Sequence, residues 1–219
     1  MEMGQDKKTT RNEVGAQFAR TLVTDVVASL ERERTQPSQQ NRRDLVRSIF
    51  AAIEGLVWQY RLHITEVAKD LDVLSKEQEF ALAEITFQVS DSGKIGKQAR
   101  FIPLTSMFRL VTRIAKSLEP NLEVRFDNGG WERFRQAVEI RNRITHPKRQ
   151  VDLVIETQDV AVCLGALYWL FDVTEAAMAA ANAAFANYVE DMKTIFQALQ
   201  DSDPEVTAEY QAALNSLNS

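Results

Sequence analysis

Apolar residues return every three or four positions along most of this chain, and that period suits helices packed on one another and little else. The clearest run is Leu45, Ile49, Ile53, Leu56 and Tyr60, widened by Val46, Phe50 and Val57 into a broad buried stripe. It predicts a long helix over 41–70. A first helix over 12–34 follows from Val14, Phe18, Leu22, Val26 and Leu30, and the stretch 35–40, with Pro37 inside it, breaks the two apart. Ser75 with Gln78 three residues later reads as a capping box that opens a third helix, to about Gln88. Residues 90–103 mix Ser90, Ser92, Gly93 and Gly96 with Lys94, Lys97 and Arg100 and read as a flexible, basic loop.

Further on, a fourth helix is expected over 104–118, ahead of Pro120. The turn Asn128-Gly129-Gly130 leads into a fifth, which begins near Trp131 and is ended by Pro147. Val151 to Ile155 reads as a short extended piece. The longest helix then runs from Thr157 towards Leu199, alanine-rich in its second half, and Pro204 opens a short acidic helix. The expected fold class is all-α, a bundle built on the second, fourth, fifth and sixth helices. Its expected parts are an N-terminal helix and linker (1–40), a helical domain (41–195) and an acidic tail (196–219).

Charge is unevenly spread. Residues 190–219 hold six acidic side chains against Lys193, which accounts for the whole net charge of −5. Residues 131–150 carry Arg133, Arg135, Arg141, Arg143, Lys148 and Arg149 against Glu132 and Glu139, a local excess of four positive charges. That patch suits a phosphate-bearing ligand, and it equally suits a solvated helix face. The single cysteine, Cys163, excludes an intrachain disulfide and fits a reducing compartment. It reads as a small buried apolar residue rather than a nucleophile. Two histidines and one cysteine argue against a zinc site, and no glycine-rich phosphate loop is present. No cofactor is expected. The polar start of the chain and the short apolar run Val160 to Val173 point to a cytoplasmic protein without a membrane span.

The segment that can carry chemistry is Arg141-Asn142-Arg143-Ile144-Thr145-His146-Pro147. On a wheel of about 100° per residue, Trp131, Phe134 and Val138 line one stripe of the fifth helix. Arg141 falls at one edge of it, Asn142 at the other, and Arg143 points to solvent. An arginine at a buried edge calls for an ionic partner or a ligand. His146 lies four residues after Asn142, which can fix its tautomer. Pro147 disfavours helical geometry at His146 and lets it leave the regular path. Glu54 sits at the edge of the second helix's stripe, where it either orients Arg141 or is an ordinary surface glutamate. His63 has no partner motif and reads as structural.

Arg141 and His146 in an Arg-x4-His spacing, with Asn142 after the arginine and Pro147 closing the helix, resemble the signature of the HEPN superfamily over roughly residues 41–195. The resemblance implies a metal-independent endoribonuclease working as a homodimer with two motifs facing one cleft. It assigns His146 to proton transfer and Arg141 to charge stabilisation, with Asn142 positioning the substrate and Glu54 in support. Lys148, Arg149 and, more weakly, Arg143 would hold flanking phosphates. Members act in toxin and anti-phage defence systems, some beside an antitoxin or regulatory protein; others have lost catalysis and bind RNA or a partner protein. A subset paired with nucleotidyltransferase antitoxins carries a tyrosine where this chain has Lys148, so that pairing is not implied. A purely structural helical assembly protein is the third reading.

Overall fold

The computed structural model describes residues 3–217, with side chains from 15 to 216. Seven α-helices stand among them: α1 (Met3–Thr35), α2 (Gln39–Asp70), α3 (Lys76–Leu82), α4 (Leu104–Leu118), α5 (Gly129–Thr145), α6 (Thr157–Gln200) and α7 (Pro204–Leu217). The chain is all-α apart from one hairpin, β1 (Ile85–Val89) and β2 (Ile95–Ala99).

The broad stripe of α2 makes it the central helix. Leu45, Val46, Ile49, Ile53, Tyr60 and Ile64 are fully buried, and α2 packs against α1, α4 and α6, while α5 lies along α6. Phe108 of α4 is the hub of an aromatic cluster, with ring centroids 5.7 Å from Tyr60, 5.8 Å from Phe134 and 5.7 Å from Trp169. Tyr60 and Thr112, polar groups inside this core, satisfy one another: Tyr60 Oη donates to Thr112 Oγ1, and Thr112 Oγ1 donates to the Phe108 carbonyl. Burial pushes the Tyr60 hydroxyl up to about 12.

Helix ends follow local chemistry. Ser38 caps α2 by accepting from Asn41 N, Ser75 and Gln78 form the expected capping box on α3, and Asn128 caps α5 through Gly130 N and Trp131 N. Gly130 has to be glycine, because a Cβ there would run into the indole of Trp169. At Gly55 a Cβ would strike Leu22, so the α1–α2 contact also depends on a missing side chain. On α1, Val26 is buried and Leu22 and Leu30 pack on the core, as their spacing predicts; Phe18 is largely exposed, and the Val14 side chain lies outside the described residues.

Four expectations need correction. The third helix ends at Leu82, not near Gln88, and residues 90–103 are not one loop. Instead β1 and β2 pair antiparallel, Ile85 opposite Ala99 and Val89 opposite Ile95, around a turn in which Gly93 takes φ +74°. The run Ile-Thr-Phe-Gln-Val alternates with period two and is rich in β-branched and aromatic residues, which favours a strand over another helical turn. Val151 to Ile155 is not extended throughout, because Gln150–Leu153 is a 3-10 turn. The Asp152 carboxylate accepts from the backbone of Lys148 and Arg149 and closes that turn. Finally, α6 contains an apolar window of mean hydropathy 1.5, long enough to cross a membrane, and 33% of it is buried in the bundle. The argument from the shortness of Val160 to Val173 therefore does not stand. The buried face of α6 is Cys163, Ala166, Leu167, Leu170, Thr174, Ala177 and Ala181.

Candidate functional site

The last turn of α5 opens onto a groove of about 810 Å³ between α2, α4, α5 and the segment after the hairpin. Its volume falls within the roughly 300–1,000 Å³ of small-molecule sites. Part of its lining is polar: Arg141, Asn142, His146 and Lys148, with Glu54 facing them from α2. Arg141 Nη2 donates to Glu54 Oε1 at 2.6 Å, and Arg141 Nη1 donates to Asn142 Oδ1 at 3.2 Å. The guanidinium is half-buried and therefore held in one place. Glu54 is thus the ionic partner of Arg141 and not a free surface carboxylate.

His146 leaves the helix as Pro147 dictates, with φ −125° and ψ 57°, and its backbone N–H donates to the Asn142 carbonyl. The imidazole is exposed at the groove. The Asn142 side chain makes no hydrogen bond to the imidazole, contrary to what the four-residue spacing suggests; its amide oxygen accepts from Arg141 instead.

Arg143 does not point to solvent. It donates to Asp159 Oδ2 at 2.8 Å, pinning α5 to the first turn of α6, and it takes no part in the groove. The reason is the true buried face of α5, which runs through Ala137, Ile140 and Ile144 as well as Trp131 and Phe134. That face is centred further round the helix than Val138 indicates, so Arg143 lies on its flank. Arg149 likewise sits outside the groove, exposed and paired with Asp152 at 3.5 Å. Of the three expected phosphate-holding residues, Lys148 alone lines the groove. Its backbone N–H, with that of Arg149, holds the Asp152 carboxyl below the usual carboxylate range.

The same groove is also lined by apolar and aromatic side chains, which the periodicity of the sequence does not single out. Phe50, Val57, Met107 and Val138 are largely buried there, and the rings of Trp58 and Phe101 line it exposed. Arg61 lies over the Trp58 ring, 4.2 Å from its centroid. Glu84 ties this part of the lining together. One carboxylate oxygen accepts from Arg61 Nη1 at 3.1 Å, the other from Ile102 N at 3.0 Å, and the Glu84 carbonyl accepts from Arg100 N at 2.7 Å. Glu84 sits at φ +52°, a conformation that side chains rarely adopt, so this clamp is maintained against local backbone preference. The signal available in the sequence was Arg61 three residues after Trp58, a helical stacking distance, and Phe101 directly after a basic run.

His63 lies away from the groove, with Nε2 buried and unpartnered, beside a smaller cavity of about 270 Å³. Cys163 is fully buried, and burial pushes its thiol up to about 12. No group of three or more His, Cys, Asp or Glu side chains among the described residues is arranged to hold a metal ion. No protein-family model matches this chain, and no curated protein or solved structure matches it either.

Proposed function

We propose that the protein is a metal-independent endoribonuclease of HEPN type that acts on RNA bound in this groove. The observation that carries the reading is that an arginine anchored by Glu54 and an exposed histidine line one groove from the same helix end. Those two side chains suffice for cleavage by the RNA's own 2′-hydroxyl. His146 takes the 2′-hydroxyl proton, the 2′-oxygen bonds to phosphorus, and the bond to the 5′-oxygen breaks. The leaving 5′-oxygen takes up a proton, from solvent or from the histidine of a second copy of this chain. The products carry a 2′,3′-cyclic phosphate and a 5′-hydroxyl. An imidazole, with an ordinary pKa of about 6.5, is suited to moving protons near neutrality. The Arg141 fork stabilises the extra charge on the phosphorus-centred transition state. Asn142 supports Arg141, and Lys148 contacts a neighbouring phosphate.

The same proposal takes the working unit as a homodimer in the cytoplasm, acting as a toxin or defence effector under the control of a partner protein. The test is incubation of purified protein with mixed RNAs in EDTA. Cleavage to cyclic-phosphate ends is expected, and an Arg141→Ala, His146→Ala double variant that cuts as well as wild type overturns the proposal. Growth arrest on expression, relieved by His146→Ala, is expected in parallel.

One observation favours a second reading, an inert module that binds RNA or a partner protein. The Glu54 carboxylate already occupies Arg141 and would repel a phosphate at that point. RNA binding without cleavage in the same assay selects it.

A further inference from the structure

We infer that the aromatic part of the groove is a base-binding subsite, so that the substrate is single-stranded RNA with one base unstacked between Trp58 and Phe101. This rests on the reading of the groove as an RNA site. A nucleotide is a charged phosphate joined to a flat apolar base, and the groove lining carries partners for both. Arg141, His146 and Lys148 line it together with the exposed rings of Trp58 and Phe101.

Three further observations point to a nucleic-acid strand rather than a peptide. The lining charges favour an anion: Arg61, Arg141 and Lys148 stand against Glu54 and Glu84, one positive charge in excess before the imidazole is counted. The rings are built to be exposed. Phe101 is 82% and Trp58 49% accessible, although an unassisted aromatic ring favours burial. Trp58 carries the Arg61 guanidinium on one face, and Glu84 ties that guanidinium to the backbone on either side of Phe101. The backbone that carries Phe101 is therefore tied to the residue that stacks on Trp58. Finally, Lys94, Lys97 and Arg100 lead along exposed β2 directly to Phe101. Basic residues interleaved with stacking rings are what a sequence-tolerant single-strand site requires. A base paired inside a duplex shows no free face to such rings, so duplex RNA is excluded from the subsite.

The test measures binding, not cleavage, in a His146→Ala background, with fluorescent oligoadenylate, the same strand annealed to oligouridylate, and polyphosphate as an anion without bases. Oligoadenylate is expected to bind more tightly than the duplex. Trp58→Ala and Phe101→Ala are each expected to weaken oligoadenylate binding by roughly five- to a hundredfold and to leave polyphosphate binding unchanged. Trp58→Phe, which keeps a ring, is expected to retain most of the affinity; both side chains are exposed, so the fold survives these changes. Equal binding of single strand and duplex, or oligoadenylate affinity unaffected by both alanine variants, overturns the inference. So does a loss that is the same for polyphosphate. Because no cleavage is read, a failure of the nuclease proposal leaves this result interpretable, and the reverse also holds.

Discussion

Arg141 and Glu54 are 87 residues apart in sequence and meet at 2.6 Å, α5 to α2, in the lining of the groove. Both side chains are partly exposed, 33% and 46%, so solvent screens the pair and its share of stability is small. Its effect is on direction, since it fixes where the guanidinium points. Glu54→Ala is expected to shift stability by less than about 1 kcal/mol. RNA cleavage should fall about tenfold or more, mainly in kcat, because a transition-state contact is misplaced. Thermal melting and steady-state cleavage rates check both halves; unchanged kcat would remove Glu54 from the site.

Arg143 and Lys148 are both cations near the helix end, and they should separate cleanly. Arg143→Ala breaks the tie to Asp159 and is expected to cost about 1 kcal/mol of stability while RNA affinity stays within about twofold. Lys148→Ala should leave stability unchanged, weaken RNA binding and flatten its salt dependence by about one phosphate contact. Denaturant melts and anisotropy at several salt concentrations distinguish the two.

Gly130 and Gly55 are packing positions. Gly130→Ala drives a methyl into the Trp169 indole and is expected to lower stability by about 1–3 kcal/mol, read as a drop in the denaturant midpoint. Gly55→Ala meets the terminal methyl of Leu22, which can turn aside, and is expected to cost less. Gly129→Ala meets open space and serves as the control.

Cys163 should be inert in the native protein. Its thiol is buried and pushed up to about 12 from an ordinary 9.0, so little thiolate forms at pH 8. A raised folded-state pKa means that the associated stability is complete below pH 9 and is lost as pH rises towards 12. A disulfide reagent at pH 8 should label the native chain slowly and the guanidinium-unfolded chain at once.

Asp152 acts in the opposite direction. Its folded pKa is lowered, above all by the Lys148 N–H, so the stability it adds is present at neutral pH and is lost as pH falls through its folded-state value. The protection of the Lys148 and Arg149 amides against exchange is expected to fall progressively on acidification, and Asp152→Asn should lower it already at neutral pH.

Much of the architecture was legible because helices announce themselves locally. The expected bounds of 104–118 coincide with α4, and the Ser75–Gln78 box and the Pro147 stop depend on neighbours within one turn. The hairpin was missed although Ile85, Phe87 and Val89 alternate, because its apolar face is left exposed and a short run of that kind also fits a helix end. The position of Arg143 is not legible from Trp131, Phe134 and Val138 alone, because Ile140 and Ile144 also belong to the buried face of α5.

That the chain is helical, where most helices stop, and that Arg141 and His146 share one helix end can be read from local runs of residues, since period, caps and proline act over a few positions. That Glu54 pairs with Arg141, that Asp159 draws Arg143 away, and that Glu84 links the segments carrying Trp58 and Phe101 follows only from the folded arrangement. Those outcomes depend on which helix faces meet and at what rotation, and that is settled by packing over the whole core rather than by any local run of residues.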